Sequence, residues 1–469
     1  MLSNKIKSMS SNAESMQPLS RLGFAAIGIG SFLGSLDLFI VNLALPSIKE
    51  NFPESGLSDI SWVINAYSIC FASALILSGK LADKYGRKKI LQLAIGLFGL
   101  TSAACSLSPS LISLVISRGI QGIAGAMIIT SSLGLLLSSY SKEHHKRVIG
   151  IWAASGSIAA AIGPTLGGIL VDIDWHLIFS LNIPLVVIGL LFSLKLKESK
   201  KQSGPLPSVS ASLLLITSIG SIVAFITHIT NWSNNFNLLL LTFLSSVISI
   251  LTFMKHCQYS LNPLIDLALF KEKTFTIAIV GMGCFYMSFS IMLLGGTLFL
   301  TQAWNLEPTL AGLAFAIGPA TAGFISLQIS KIKKTAQDLA VIGAFFYVIT
   351  GLWWFSTLQE ASIVHYFAYF LPGLLLTGVG AGIAQTGFVG GGVVNLPSHA
   401  YSLGTGIINT SRQVGAAIGV AIFISVTKQT GNVDSFKSAW LVMSLLGFIA
   451  CISAWNLRKV HRQLAIHSD

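Results

Sequence analysis

The chain alternates between long apolar runs and short polar connections along almost its whole length. Fourteen runs of about 18 to 27 residues contain few charged side chains, and about 20 apolar residues are enough for a helix to cross a bilayer. The predicted spans are 22–45, 57–78, 90–107, 111–137, 148–171, 177–194, 209–229, 236–254, 275–300, 309–330, 339–356, 363–387, 404–427 and 436–456. The pattern therefore predicts an all-α polytopic membrane protein with fourteen transmembrane helices.

The composition narrows the class of protein further. Hydrophobic residues make up 53% of the 469 positions and charged residues only 10%, whereas a soluble domain carries about a quarter charged residues. A soluble enzyme, a disordered chain and a secreted disulfide scaffold are therefore excluded. The five cysteines include no C-x-x-C pair, and the sequence contains neither G-x-x-x-x-G-K-[ST] nor H-E-x-x-H. We expect no metal site, no cofactor, no enzymatic activity and no ATP-hydrolysing site in this chain.

Basic residues are distributed unevenly between the two faces of the predicted bundle. With the N-terminus inside, the cytoplasmic tails and loops hold 24 of the 29 Lys and Arg residues, and the outer loops hold Lys49, Lys428 and Lys437. Because basic residues near span ends stay in the cytoplasm, both termini are predicted to be cytoplasmic. The net charge of +12 therefore reflects topology, and we expect no nucleic-acid partner. Residues 1–21 lack the apolar core of a signal peptide.

A weak internal repeat indicates two halves. Residues 155–163 read SGSIAAAIG and residues 411–419 read SRQVGAAIG, with five identities in nine positions; a chance match is the alternative, because Ala and Gly are common here. The simplest architecture is two six-helix bundles with spans 7 and 8 inserted between them, a 6+2+6 arrangement. The predicted divisions are a tail at 1–21, a bundle at 22–195, linker loops with two extra helices at 196–274, a bundle at 275–456 and a tail at 457–469.

One acidic residue lies well inside a predicted span. Asp37 in span 1 is roughly 12 Å deep and Arg118 in span 4 is roughly 10 Å deep from the same side, at 1.5 Å per helical residue. The two side chains are predicted to form a buried pair, with Gln121 one turn further in. Ionisable groups inside spans are rare and usually functional, so the pair is a candidate proton-coupling site. The alternative is a permanent ion pair that only locks two helices together.

A second buried cation, Arg412, lies in span 13, about eight residues from its inner end. This position is too far from Asp37 for an ion pair, and no acidic residue lies at its depth. Helix-end carbonyls, water or an anionic group on a ligand are the remaining partners.

The loop between spans 2 and 3 is rich in charge. It runs from Gly79 to Lys89, and Gly86 permits a sharp backbone turn. Asp83 is expected to accept hydrogen bonds from Arg87 or to lie at a helix N-terminus, where the helix dipole favours an anion. On charge alone this is an ordinary cytoplasmic loop, and a gate at the cytoplasmic face is the alternative.

Several stretches together resemble the major facilitator superfamily, and specifically its fourteen-span drug:proton antiporters (EmrB/QacA-type). The matching stretches are Leu36–Pro46, Gly79–Lys89, Arg118–Gly122, Gly156–Gly168, Trp175–Pro184, Asn262–Phe270 and Gly404–Gln413. The resemblance covers residues from about 22 to 456 and implies the major facilitator fold. It also implies proton-coupled export, in which Asp37 takes up the proton and Arg118 tunes the pKa of its carboxyl group.

The same resemblance implies roles for three further sets of residues. The expected cytoplasmic gate is Gly79, Asp83, Gly86 and Arg87. The expected antiporter motif of span 5 is Gly156, Gly163, Pro164, Gly167 and Gly168; its glycines provide a smooth packing face and its proline bends the helix. The candidate substrate contacts are Asn42, Gln121, Asn409, Arg412 and Gln413.

The sequence thus predicts a multi-pass exporter of the bacterial inner membrane that exchanges protons for a small amphiphilic compound, with multidrug efflux as the favoured role. The expected partners are the substrate, protons and the lipid bilayer; a periplasmic adaptor or an outer-membrane channel is left open. A dedicated exporter of one metabolite such as a siderophore, a proton-coupled importer and a non-transporting sensor are the alternatives. Spans 10 and 13 contain no acidic residue, which disfavours polycationic substrates.

Overall fold

The computed structural model describes residues 19–140, 142–199, 201, 206, 208–229, 236–397, 401–427 and 432–466, and within these ranges it contains helices and no strand. The first seven α-helices are α1 Arg21–Asn51, α2 Leu57–Tyr85, α3 Arg87–Ser106, α4 Leu111–Ser139, α5 Lys142–Ile173, α6 Leu177–Ser180 and α7 Asn182–Ser193. The others are α8 Val209–His228, α9 Phe236–Tyr259, α10 Lys273–Leu298, α11 Pro308–Gln328, α12 Ala336–Thr357, α13 Ile363–His365, α14 Leu371–Val393, α15 Tyr401–Val426 and α16 Asp434–Ile466. Short 3₁₀ or π turns lie at Leu267–Lys271, Phe299–Ala303, Ile329–Lys331 and Tyr366–Phe370.

Hydroxyl side chains begin several of these helices. Ser20 accepts a hydrogen bond from the Gly23 amide at the start of α1, and Ser110 accepts one from the Ser113 amide at the start of α4. Thr335 does the same for the Asp338 amide of α12. Each bond satisfies a first-turn amide that has no partner inside its own helix, so local sequence fixes where these long helices start.

The prediction of fourteen spanning helices in a 6+2+6 arrangement is wrong. All fourteen apolar stretches are helical, but within the described residues twelve helices are long and apolar enough to cross a membrane. The apolar helices Ile158–Ile173 and Leu177–Ser193 fall below 18 residues. At 1.5 Å per residue, Leu177–Ser193 is about 26 Å long, which is less than the roughly 30 Å of a bilayer core, and it is interrupted at Leu181, between α6 and α7.

Two pairs of helices join the N-terminal helices to the C-terminal ones: α5 packs along α11, and α2 packs along α15. At the second contact the Thr410 hydroxyl lies 3.5 Å from the Ala72 carbonyl oxygen. Helices α8 and α9 pack mainly against each other. Only 11% of the most apolar 18-residue stretch of α9 is buried. The exposed side of α9 is apolar, as expected of a surface that faces lipid. The domain boundaries and the sidedness of the termini stay predictions.

The two repeated segments pack in similar ways. A β-carbon on Gly163 of α5 would lie 3.0 Å from Cβ of Phe39 in α1. Gly419, the matching position in α15, lies against the backbone of Met287 in α10. In both places a glycine lets two helices approach closely.

Candidate functional site

Asp37 and Arg118 meet inside the helix bundle. Their side chains are 0% and 2% exposed, and Arg118 Nη1 donates to Asp37 Oδ2 over 2.6 Å. The same nitrogen lies 2.6 Å from Gln121 Oε1, and Arg118 Nε donates to the Val63 carbonyl oxygen over 3.0 Å. The structure therefore brings together the three residues that were expected at matching depth. Their role in proton transfer stays a prediction.

The buried pair belongs to a larger polar network. Gln121 Nε2 donates to the Ser102 hydroxyl over 2.8 Å, and Asn182 Nδ2 lies 3.3 Å from the same oxygen. Among the described residues, Asp37 Oδ1 and Asn182 Oδ1 have no hydrogen-bond partner. Sequence reasoning missed Ser102 as a site residue, because serines are common in these spans and only the fold brings α3 next to α4. The network leaves one carboxylate oxygen of Asp37 free to accept a proton.

Aromatic rings hold the Arg118 guanidinium from other sides. Its central carbon lies 4.5 Å from the ring centroid of Tyr67 and 5.7 Å from that of Phe179, distances at which cation–π attraction is effective. Gly122 lets α2 approach α4 closely, because a β-carbon on Gly122 would overlap the Tyr67 carbonyl oxygen. The Arg-Gly-Ile-Gln-Gly stretch of α4 thus combines the charge with the space that its neighbour needs.

The loop between α2 and α3 forms a second charged cluster. Arg87 donates to Asp83 Oδ1 from Nε over 2.9 Å and from Nη2 over 2.8 Å, and its Nη1 donates to the Gly134 carbonyl oxygen of α4. Of the two expected arrangements for Asp83, the structure has the pair with Arg87. The cluster ties α2, α3 and α4 together at one end of the bundle, and gating stays a prediction.

Glu198, which sequence reasoning missed, completes this cluster. Its carboxylate oxygens accept from the Lys88 amide over 2.9 Å and from the Lys89 amide over 3.1 Å. These amides belong to the first turn of α3, where the helix dipole favours an anion. The residue could not be found from sequence because it lies in a loop more than a hundred positions later.

The two loop glycines differ in what they require. Gly86 has φ of 109°, and a β-carbon there would lie 2.6 Å from the carboxyl carbon of Glu198. Only glycine is comfortable with both constraints. Gly79 has the nearest neighbouring atom 4.0 Å away, on Thr130, so packing does not exclude a small side chain there.

The span-5 motif lies between two helices. Gly156, Gly163 and Gly167 face Ser35, Phe39 and Ile40 of α1.

The same motif also contacts α11. A β-carbon on Gly168 would overlap the Pro308 carbonyl oxygen of α11, and one on Gly312 would overlap the Pro164 carbonyl oxygen. The motif therefore produces a backbone-to-backbone contact between an N-terminal and a C-terminal helix.

The remaining candidates are separate from the ion pair. Asn42 donates to the Leu38 carbonyl oxygen and Asn409 donates to the Thr405 carbonyl oxygen, each over 2.9 Å and within its own helix.

Gln413 is 3% exposed, and its Nε2 has no partner among the described residues. Arg412 places its guanidinium carbon 5.5 Å from the ring centroid of Tyr286 in α10. The structure thus brings none of these residues into contact with Asp37.

Within the described part of the chain, no group of three or more His, Cys, Asp or Glu side chains is placed to hold a metal ion.

Comparison with known proteins identifies relatives over most of the chain. The family model described as the Major Facilitator Superfamily matches residues 27–420. The multidrug resistance protein Stp of Mycobacterium tuberculosis (strain CDC 1551 / Oshkosh) is 30% identical over 86% of this chain and 75% of its own length. The drug efflux pump JefA of the same strain is 30% identical over 87% of this chain and 80% of its own. A crystal structure of the peptide transporter POT in complex with sulfate superposes with a TM-score of 0.71 at 11% identity, over 96% of this chain and 97% of that one; it shows the shared fold alone.

Proposed function

This chain belongs to the Major Facilitator Superfamily, and we propose that it exports small amphiphilic compounds in exchange for protons. It is a multi-pass membrane protein with relatives named for multidrug resistance and drug efflux, all from bacteria, consistent with a bacterial inner membrane. Those names support export of drug-like compounds as the role of this chain.

The observation that carries the proposal is the buried Asp37–Arg118 pair. Burying a charge costs free energy unless a partner compensates it, and Arg118 is the partner that Asp37 has. When the carboxylate takes up a proton, the ionic attraction is lost, but Arg118 keeps its bonds to Val63 and Gln121. Protonation therefore weakens the link between α1 and α4, while the arginine keeps two hydrogen bonds but loses its counter-ion.

The second part of the proposal concerns the helix contacts that change during transport. Alternating access in this kind of fold is largely a rocking of one bundle against the other. The Gly168–Pro308 and Gly312–Pro164 contacts give α5 and α11 a close, smooth interface about which such a motion can pivot. The Asp83–Arg87–Gly134 cluster, with Glu198, stiffens the cytoplasmic end of the N-terminal helices.

The test uses proteoliposomes that contain the purified protein and an internal pH-sensitive dye. Cationic, neutral and anionic amphiphiles are added in turn, and antiport predicts proton movement opposite to that of the transported compound. Movement of protons and compound in the same direction would support an importer instead. No proton movement with any compound would contradict proton-coupled export and favour another driving ion or a sensor.

A further inference from the structure

Arg412 carries a charge that no described residue neutralises. Five ion pairs are formed among the described residues, and Arg412 takes part in none of them. Its Nε is buried without a hydrogen-bond partner, whereas Arg118 Nε donates to a carbonyl oxygen. A guanidinium stays charged in proteins, and a cation inside a membrane bundle is costly unless another group meets it. The site therefore favours an anion that comes from outside the described chain.

The aromatic ring that lies against the Arg412 guanidinium belongs to Tyr286, and a hydrogen bond orients this ring. The Tyr286 hydroxyl donates to Gln385 Oε1 over 2.9 Å. Tyr286 thus contacts α14 through its hydroxyl and α15 through its ring. With its oxygen engaged, the Gln385 amide has its two N–H groups left to donate. Arg412 and Gln385 therefore place hydrogen-bond donors near the ring and near the hydroxyl group of the same tyrosine.

A buried amide adds a further donor near Arg412. Gln413 is 3% exposed and its Nε2 has no partner among the described residues. Gln413 directly follows Arg412 in α15, so the two side chains leave the helix about 100° apart, on either side of the position of Asn409 one turn earlier. An unpaired buried N–H group is unfavourable, and a bound acceptor would satisfy it.

Aromatic rings extend the surface away from the charge. The Tyr286 ring centroid lies 5.2 Å from that of Phe289, and Phe289 lies 6.4 Å from Tyr347. Both Tyr286 and Phe289 are only partly buried, so their faces are accessible to an apolar body. A ligand that carries a flat aromatic system next to an anionic group matches these rings and the cation together.

We propose that Arg412, Tyr286, Gln385 and Gln413 form a substrate site for aromatic compounds that carry a carboxylate. The inference rests on the proposed function, because it names the class of compound that would be exported. The helix that carries Tyr67, whose ring lies against Arg118, is α2, and α2 also packs along α15, which carries Arg412.

Two dyes with the same ring system test the site. Rhodamine 110 has a free carboxylate, and rhodamine 123 is its methyl ester. Equilibrium binding to detergent-solubilised protein is measured by fluorescence polarisation without a pH gradient. We expect the Kd of rhodamine 110 to rise roughly 10- to 100-fold in Arg412→Gln, because a hydrogen bond to a charged group is worth about 1.5–3 kcal/mol. The Kd of rhodamine 123 should not change, and Arg412→Lys should retain part of the affinity for rhodamine 110.

Matched variants separate the site from general effects of substitution. Arg462→Gln removes an exposed arginine of α16 and should alter the binding of neither dye, whereas Tyr286→Leu should weaken both. The proposal is overturned if Arg412→Gln weakens both dyes equally, if it leaves rhodamine 110 unaffected, or if the wild type binds neither. Selective binding of rhodamine 110 without pH-driven transport in the wild type would leave this site standing and refute proton-coupled export.

Discussion

The backbones of Gly168 and Pro308 lie in direct contact. A β-carbon on Gly168 would overlap the Pro308 carbonyl oxygen. A backbone oxygen cannot rotate away as a side chain can. The contact therefore depends on the absence of a side chain, and it joins α5 to α11, the helices about which we propose that the bundle rocks.

Gly168→Ala is expected to push α5 and α11 apart. Overpacking of this kind costs about 1–3 kcal/mol, so the variant should unfold at a lower temperature in differential scanning fluorimetry and transport more slowly. The control is Gly28→Ala, since nothing lies within 4 Å of a β-carbon at Gly28. Equal behaviour of the two variants would show that the close contact is not needed.

Arg118→Ala is expected to destabilise the protein as well as uncouple it. It leaves the Asp37 carboxylate buried without its partner charge, and removing one member of a buried pair costs about 3–5 kcal/mol. Adding Asp37→Asn to Arg118→Ala should restore much of the melting temperature, because the uncompensated charge is gone, but should not restore coupling. A double variant no more stable than Arg118→Ala alone would mean that the charge of Asp37 is not what destabilises it.

Glu198→Ala tests the cap on α3. Loss of such a cap costs about 1 kcal/mol, which corresponds to a fall in melting temperature of about 2 °C for a large chain. Glu54→Ala, at an exposed glutamate between α1 and α2, is the control and should leave the melting temperature unchanged. If Glu198→Ala melts like the wild type, the two amide hydrogen bonds contribute nothing measurable.

Asp172→Ala tests a link at the opposite end of α5. Asp172 Oδ2 accepts hydrogen bonds from the Thr309 amide, over 3.1 Å, and from its hydroxyl. Without this acceptor the Thr309 amide should exchange hydrogen with water about fivefold faster, given that a hydrogen bond is worth about 1 kcal/mol. Hydrogen-exchange mass spectrometry of a peptide covering 305–312 measures this.

Asp174→Ala is the matched control for that exchange experiment. Asp174 is an exposed aspartate that accepts from the backbone and the ring of His176, and these hydrogen bonds hold the pKa of its carboxyl group below its usual value. Removing its charge should not alter exchange at 305–312. Faster exchange in both variants would assign the effect to loss of negative charge and not to the Thr309 bond.

The sequence predicts those parts of the fold and of the candidate site whose position can be calculated from residue number. Asp37 and Arg118 could be paired in advance because an apolar span makes depth calculable from residue number. The Asp83–Arg87 pair, one of the two arrangements expected for Asp83, joins residues close in sequence across the turn at Gly86 between α2 and α3. The positions of the helices follow from the apolar runs, but the number of spans does not, because an apolar helical run such as Leu177–Ser193 can still be too short to cross a bilayer.

Other contacts between distant segments could not be predicted. Glu198 reaches α3 across a separation of 110 residues, and a lone glutamate in a loop carries no signal of its partner. The stacking of Arg412 on Tyr286 depends on how α10 and α15 rotate against each other, which glycines such as Gly415 permit by close packing. These rotations come from tertiary packing and not from local pattern.

The most direct test of the central claim compares two modes of transport in Asp37→Asn. The uptake of radiolabelled rhodamine 123 into proteoliposomes is measured in two ways. It is driven first by a pH gradient and then by exchange against unlabelled rhodamine 123 at equal pH. The account predicts that Asp37→Asn loses gradient-driven uptake and retains exchange, while Asp434→Asn, at an exposed aspartate, retains both. Gradient-driven uptake at the wild-type rate in Asp37→Asn would contradict the assignment of Asp37 as the proton site.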